Sequence, residues 1–297
     1  MTLDDLMFKP GLLAGRRYLV TGGGSGLGRV MSEALLMLGA DVYICGRRAA
    51  VVEETAAELM RLHGGRVVAK TCDIRQETQI AEMIDSIWAD GGALDGLVNN
   101  AAGNFVSRTE DLSPRAFDAI SSIVFRGSFC VTLECGKRWL AEGKSASVLS
   151  ILTTWVWNGS PFTVPSAMSK AGLHAMTQSL AVEWANRGIR FNAIAPGLFP
   201  TEGMSARLNP GGGEHKSERN PMERNGRMPE LANLAVYLLG PGSEYVNGQT
   251  IAIDGAQFQA TGGNFSQMSS WTGDDWQRAR ASIAQRDAQD RQQRAAA

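Results

Sequence analysis

Short apolar runs alternate along this chain with longer stretches in which apolar residues recur every three or four positions. The first run, RYLVT at 17–21, predicts a strand, and 26–38 follows with helical spacing of Leu27, Val30, Met31 and Leu35. The alternation repeats through DVYIC (41–45), a helix over 49–63, RVVAKTC (66–72), a helix over 77–89 and LDGLVNN (94–100). A long helix over 114–142, ASVLSIL (146–152), a helix over about 165–187, IRFNAIA (189–195) and a last strand, QTIAIDG (249–255), complete the pattern. The runs lack the polar alternation of a half-exposed sheet, as parallel strands covered on both faces require. Repeated strand–helix alternation predicts an α/β fold: a Rossmann-like doubly wound parallel sheet with right-handed crossovers.

No linker divides the chain, so residues 1–297 read as a single domain. The Gly/Pro-rich segment 198–227 is long for a compact domain and follows the carboxyl end of a strand, where ligands of open α/β sheets bind, which predicts a lid. The tail over about 256–297 turns polar from Gly273, with Asp274 and Asp275 at a helix start. Only Trp276 and Ile283 can anchor it, which predicts a packed or interface helix at first and fraying beyond.

Composition narrows the function. The 34 glycines exceed the usual share of about 7%, without a collagen period, so they mark turns and close backbone approaches. A net charge of −1 excludes a general polyanion binder, so no nucleic-acid partner is expected. Cys45, Cys72, Cys130 and Cys135 show neither CxxC nor zinc-ligand spacing; no metal is expected, and the thiols read as reduced. The N-terminus has acids where a signal peptide needs bases, and no run of 18 apolar residues occurs, so a cytoplasmic protein without a membrane partner is expected.

TGGGSGLG at 21–28 lies between the first strand and the first helix. Glycines there let the backbone approach a pyrophosphate, and the helix N-terminus favours its charge; a mere tight turn is the alternative. Candidate cofactor contacts are Gly22, Gly24, Ser25, Gly26 and Leu27, joined by Asn100 of NNAAG (99–103). At the end of the second strand an NAD site wants an acid, but Arg47 and Arg48 stand there and suit a 2′-phosphate, so NADP(H) is expected. The alternative is two solvated arginines at a helix start.

The glycine spacing together with NNAAG resembles the short-chain dehydrogenase/reductase family. The resemblance implies that Asp73 hydrogen-bonds the adenine, that Lys170 holds the nicotinamide ribose, and that Pro196, Gly197 and Phe199 touch the carboxamide. NNAAGNF (99–105), TLECGK (132–137), VPSAMSKAG (164–172), RFNAIAPG (190–197), SARLNPGG (205–212) and WTGDDW in the tail look like the 2,4-dienoyl-CoA reductases of that family. This closer likeness implies a fatty-acid enzyme that reduces a conjugated acyl-CoA double bond, and a homotetramer. It also implies acyl-CoA contacts at Arg47, Arg75, Phe105, Ser113 and Arg207, whose arginines suit the phosphates.

The catalytic positions depart from the family's Asn, Ser, Tyr and Lys. Lys170 stands, but Ser166 occupies the place four residues earlier, Arg126 that of the helix asparagine and Thr153 that of the serine. Dienoyl-CoA reductases also carry serine in the YxxxK tyrosine's place; their earlier tyrosine and the asparagine of GNF bind the thioester oxygen. Asn104 matches that asparagine, whereas the tyrosine position is Trp155. An indole N–H donates a hydrogen bond but transfers no proton. Trp155 therefore substitutes as donor, reshapes the pocket for another substrate, or plugs an inactive site. Trp157 shares its face if the segment is extended. The rival readings are a short-chain reductase with another small-molecule substrate and a weakly catalytic NADP-binding protein.

Overall fold

In the computed structural model, which describes residues 1–201, 220–261 and 266–296, seven strands form one parallel sheet in the order β3-β2-β1-β4-β5-β6-β7. The strands are β1 (Arg17–Thr21), β2 (Asp41–Gly46), β3 (Val67–Thr71), β4 (Gly96–Asn99), β5 (Ala146–Ile151), β6 (Ile189–Pro196) and β7 (Thr250–Ile253). Helices α1 (Gly26–Met37), α2 (Ala49–His63) and α3 (Glu77–Ala89) link the first four strands. The strands and helices expected from the apolar pattern are present, with ends shifted by a few residues at most. The order reverses between β1 and β4, so the crevice at their carboxyl ends is the topological switch point where such sheets take ligands.

Burial on both faces explains the apolar strands. Tyr18 and Val20 pack with Met31, Leu35 and Val236 on one face, while Leu19 and Leu97 pack with Ile84, Val131 and Trp139 on the other. A smaller third cluster, with Ile120, Val124, Leu152, Leu173, Met176, Ala193 and Ala195, lies towards the carboxyl end of the sheet.

The long helix expected over 114–142 contains a change of pitch. Helix α4 (Pro114–Ser121) runs through a π-helical segment, Ser122–Gly127, into α5 (Ser128–Glu142). A Cβ on Gly127 would lie 2.8 Å from the Ile74 carbonyl oxygen, so only glycine permits this close approach to the turn after β3. By length and composition Pro114–Glu142 is also apolar enough to cross a membrane. Its Val131, Cys135 and Trp139 are nevertheless buried against the sheet, as in a core helix.

A one-turn helix α6 (Trp155–Asn158) precedes α7 (Val164–Glu183), and α8 (Met228–Leu239) precedes β7. Beyond β7 come the short α9 (Gln257–Ala260) and α10 (Gly273–Ala296). Helix α10 continues to Ala296 where fraying was expected, and its two expected anchors, Trp276 and Ile283, are exposed. The Trp276 ring packs instead on its own approach segment, 4.9 Å from Trp271. Much of the expected lid, residues 202–219, lies outside the described residues, and Arg207 with it.

Candidate active site

The loop after β1 is built mostly from backbone. Gly22 has a φ of +65°, a left-handed conformation that favours glycine. A Cβ on Gly28 would lie 2.3 Å from the Gly22 carbonyl oxygen and 2.5 Å from Asn100 Nδ2, so a side chain there would force the loop open. Asn100 Nδ2 donates to the carbonyls of Thr21 (3.0 Å) and Gly22 (3.3 Å). Thr21 Oγ1 accepts the N–H groups of Asn100 and Ala101, each at 3.0 Å. Thr55 Oγ1 donates to Gly24 O at 2.9 Å, tying α2 to the loop. Ser25 is exposed at the start of α1, and its side chain makes no capping bond. First-turn amides beside a bare, braced glycine surface fit a dinucleotide pyrophosphate.

Arg47 and Arg48 are exposed at the end of β2, and neither forms an ion pair among the described residues. Asp73 and Arg75, expected to serve adenine and substrate separately, are paired with each other. Arg75 Nε donates to both Asp73 carboxylate oxygens at 2.9 Å. These hydrogen bonds hold the carboxyl below the usual carboxylate range, with the nearby Arg47 charge adding to the effect. The Arg75 guanidinium is thus already engaged in this conformation.

At the other end of the crevice, Lys170 is 4% exposed, and its Nζ donates to the Ile151 carbonyl at the end of β5. Burial lowers its pKa to about 8. Ser166, one turn earlier on α7, is buried too, and Thr153 Oγ1 is buried without a partner among the described residues. Asn104 Oδ1 accepts the Phe105 N–H at 2.9 Å, and its Nδ2 has no partner among the described residues. Phe105 and Val156 both pack on the third apolar cluster, which brings the GNF segment and α6 onto the same support. The Trp155 indole N–H meets no acceptor among the described residues.

Because the segment is helical, Trp155 and Trp157 do not share a face. Residues two apart on a helix point about 200° apart. Trp157 instead stacks on Phe258, 4.8 Å away, and meets His174 edge-on at 6.3 Å. His174 is half-buried, with Nδ1 3.0 Å from Thr250 Oγ1. No local motif announces this aromatic contact.

Arg126 turns away from Lys170: its guanidinium pairs with Glu77 and donates to Arg75 O at 3.2 Å. Ser113 caps α4, accepting the Ala116 N–H on its Oγ at 3.2 Å. In the turn after β6, Gly197 N donates to Ile253 O at 3.0 Å, and Phe199 is buried. A cavity of about 260 Å³ adjoins this turn, lined by Leu198, Phe199, Met222 and Ile253 among others.

Comparison with known proteins gives consistent relatives. The family model described as Enoyl-(Acyl carrier protein) reductase matches residues 22–256. A Caenorhabditis elegans protein named probable 2,4-dienoyl-CoA reductase 3 is 40% identical over 277 residues, covering 91% of this chain and 90% of its own length. The structure of a citronellol catabolism dehydrogenase from Pseudomonas aeruginosa matches with a TM-score of 0.76 at 35% identity, over 86% of this chain and all of that one. A gluconate 5-dehydrogenase from Burkholderia cenocepacia, solved with NADP and tartrate, matches with a TM-score of 0.77 at 29% identity, over 83% of this chain and 96% of that one.

Proposed function

The chain belongs to the short-chain dehydrogenase/reductase family of NAD(P)H-dependent oxidoreductases, and from that premise we propose that it reduces a conjugated acyl-CoA double bond with NADPH, 2,4-dienoyl-CoA by preference. One observation carries this reading: the polar groups at the proposed reaction end include two N–H donors with no partner among the described residues, Asn104 Nδ2 and the Trp155 indole, and no phenol. Tyr18 and Tyr43 are buried within β1 and β2, while Tyr237 and Tyr245 lie on or after α8. Reduction of a simple ketone needs a proton donor at the carbonyl oxygen. Addition to a conjugated thioester needs only hydrogen bonds there, because the negative charge is delocalised over a dienolate.

The braced glycine loop fits the pyrophosphate, Arg47 and Arg48 fit a 2′-phosphate, and Lys170 stands where a ribose hydroxyl would be held. Bound NADPH supplies a hydride for the δ carbon of the conjugated chain. As charge gathers on the thioester oxygen, Asn104 and Trp155 donate to it; each well-placed donor is worth about 2.7–4 kcal/mol in such a site. Neither side chain releases a proton at neutral pH, so water delivers the proton to the α carbon. The acyl chain lies against Phe105.

The four cysteines are free thiols, which supports a reducing, cytoplasmic setting. Phe125, Phe129, Met168 and Val182 are exposed apolar residues on the π-helical segment, α5 and α7, which supports a homo-oligomer, a tetramer by family likeness. Sedimentation of the purified protein tests the assembly, with a monomer as the contrary result.

The test of function is direct. Purified protein with NADPH and a 2,4-dienoyl-CoA should lose dienoyl and NADPH absorbance together, and Trp155→Phe should slow turnover about a hundredfold. NADPH binding without turnover would leave the cofactor-binding reading in place and remove the reductase one.

A further inference from the structure

Helix α6 has four residues, too few to hold an orientation through its own hydrogen bonds. Its side chains therefore set its rotation. Val156 faces the third apolar cluster, and Trp157, on the side opposite Trp155, stacks on Phe258 with the rings tilted by 36°. Phe258 is itself held. Asp254 Oδ2 accepts its N–H at 2.8 Å, and Asp254 Oδ1 accepts the Ala256 N–H at 3.0 Å. Asp254 is almost fully buried, and Ala256 between the two has a φ of +65°, so the turn after β7 has one well-defined shape. The second neighbour of Trp157, His174, lies one helical turn beyond Lys170 on α7 and is tied to β7 through Thr250.

We propose that Trp157 is a positioning residue: clamped between Phe258 and His174, it fixes the rotation of α6 and so aims the Trp155 indole N–H, coupling the segment after β7 to the reacting oxygen. This deepens the donor role given to Trp155 and rests on it. Trp157 is 39% exposed, so burial alone is an incomplete reason for a tryptophan there. A ring that only covered surface would also need no partner whose own N–H, and that of the turn leading to it, are each held by an oxygen of one buried carboxylate.

The full chain with NADPH and 2,4-hexadienoyl-CoA provides the test. Trp157→Ala should lower kcat about ten- to a hundredfold, the effect of misplacing a reacting group, with KM and NADPH affinity nearly unchanged. Trp157→Phe should restore most of the rate, and Asp254→Asn, which removes one of the two accepting oxygens, should produce a milder form of the same loss. Trp155→Phe combined with Trp157→Ala should be no slower than Trp155→Phe alone, because both act through one donor. In an isotope-labelled sample the Trp155 indole N–H resonance, assigned from Trp155→Phe, should shift or broaden in Trp157→Ala while the thermal midpoint holds. Phe258→Leu gives the same readout should Trp157→Ala fail to fold. An unmoved Trp155 resonance, or equal losses in KM and kcat, overturns the proposal. A normal rate in Trp155→Phe would instead remove the donor role, and the resonance would still report whether Trp157 positions Trp155.

Discussion

The loop after β1 and the segment after β5 leave the same edge of one sheet, yet they are made of different material. The first consists largely of backbone: glycines with no room for a Cβ, carbonyls capped by Asn100 and Thr55, and Thr21 holding two amides. The second consists of side chains on a scaffold, namely Thr153, Trp155, Ser166 and Lys170. A backbone-built site admits almost no substitution, because any added atom moves the fold. A side-chain-built site can exchange a phenol for an indole and leave the fold intact, so its chemistry changes while its frame persists. That difference accounts for the expectation from sequence that the cofactor end follows the family while the reaction end departs from it.

The largest effect should come from placing an atom where the backbone leaves none. Gly28→Ala puts a methyl 2.3 Å from the Gly22 carbonyl oxygen. Overpacking of this kind costs about 1–3 kcal/mol, and an opened loop should weaken NADPH about a hundredfold or more. Calorimetric titration with NADPH and urea unfolding check both. Undiminished binding would break the contrast between the two regions.

Next is a place where the cofactor end is read to meet its ligand through a side chain. Arg47→Asp removes a charge-assisted contact to a 2′-phosphate, worth about 1.5–3 kcal/mol, and adds repulsion. NADPH should weaken about ten- to a hundredfold while NADH changes little or improves. Equal losses for the two cofactors would place Arg47 outside the phosphate site.

Much of this was legible in sequence for physical reasons. Strands covered on both faces must be apolar, and a phosphate loop between strand and helix must carry glycine, so both announce themselves locally. Pairings between side chains do not. Charge alone gave no sign that Arg75 closes on Asp73. The π-helical turn at Ser122–Gly127 comes close to Ile74 at its last residue, a contact that no periodicity within the helix encodes. The Trp157–Phe258 stack joins α6 to the segment after the last strand, and only the fold brings them together.

Burial of Lys170 makes a prediction about pH. Its folded pKa, lowered to about 8 from 10.5, means that the unfolded chain binds more protons between those values. Stability therefore rises with pH through that window, while below about pH 8 the cost of the buried charge is fully present. Between pH 8 and 9 the gain is about 1 kcal/mol at most. Within the same window the thiols of Cys45, Cys72, Cys130 and Cys135, pushed up by burial, act in the opposite sense as the unfolded cysteines ionise, so the Lys170 contribution is read as a difference between wild type and Lys170→Met. Urea unfolding of the free protein at the two pH values should show wild type gaining about 1 kcal/mol relative to Lys170→Met. The same pH dependence in both proteins would mean that the ammonium is better solvated than its burial against Ile151 suggests.

The smallest effect should come from the most conspicuous change of charge at the reaction end. By the resemblance read from sequence, Arg126 takes the place of a helix asparagine, and introducing that residue is a severe test of how far the side-chain region depends on its surroundings. Its guanidinium faces α3: it pairs with Glu77, both partners more than half exposed, and reaches Arg75 O. Exposed pairs of this kind contribute about 0–1 kcal/mol and weaken with salt. Arg126→Asn should therefore leave stability within about 1 kcal/mol, keep NADPH affinity, and change kcat by about twofold or less. Adding salt to the wild type should reproduce the small stability change. A kcat that instead rose tenfold, with a shifted pH profile, would show that the charge at 126 is felt at Lys170 despite the turned side chain, and that the π-helical turn belongs to the reacting region rather than to its frame.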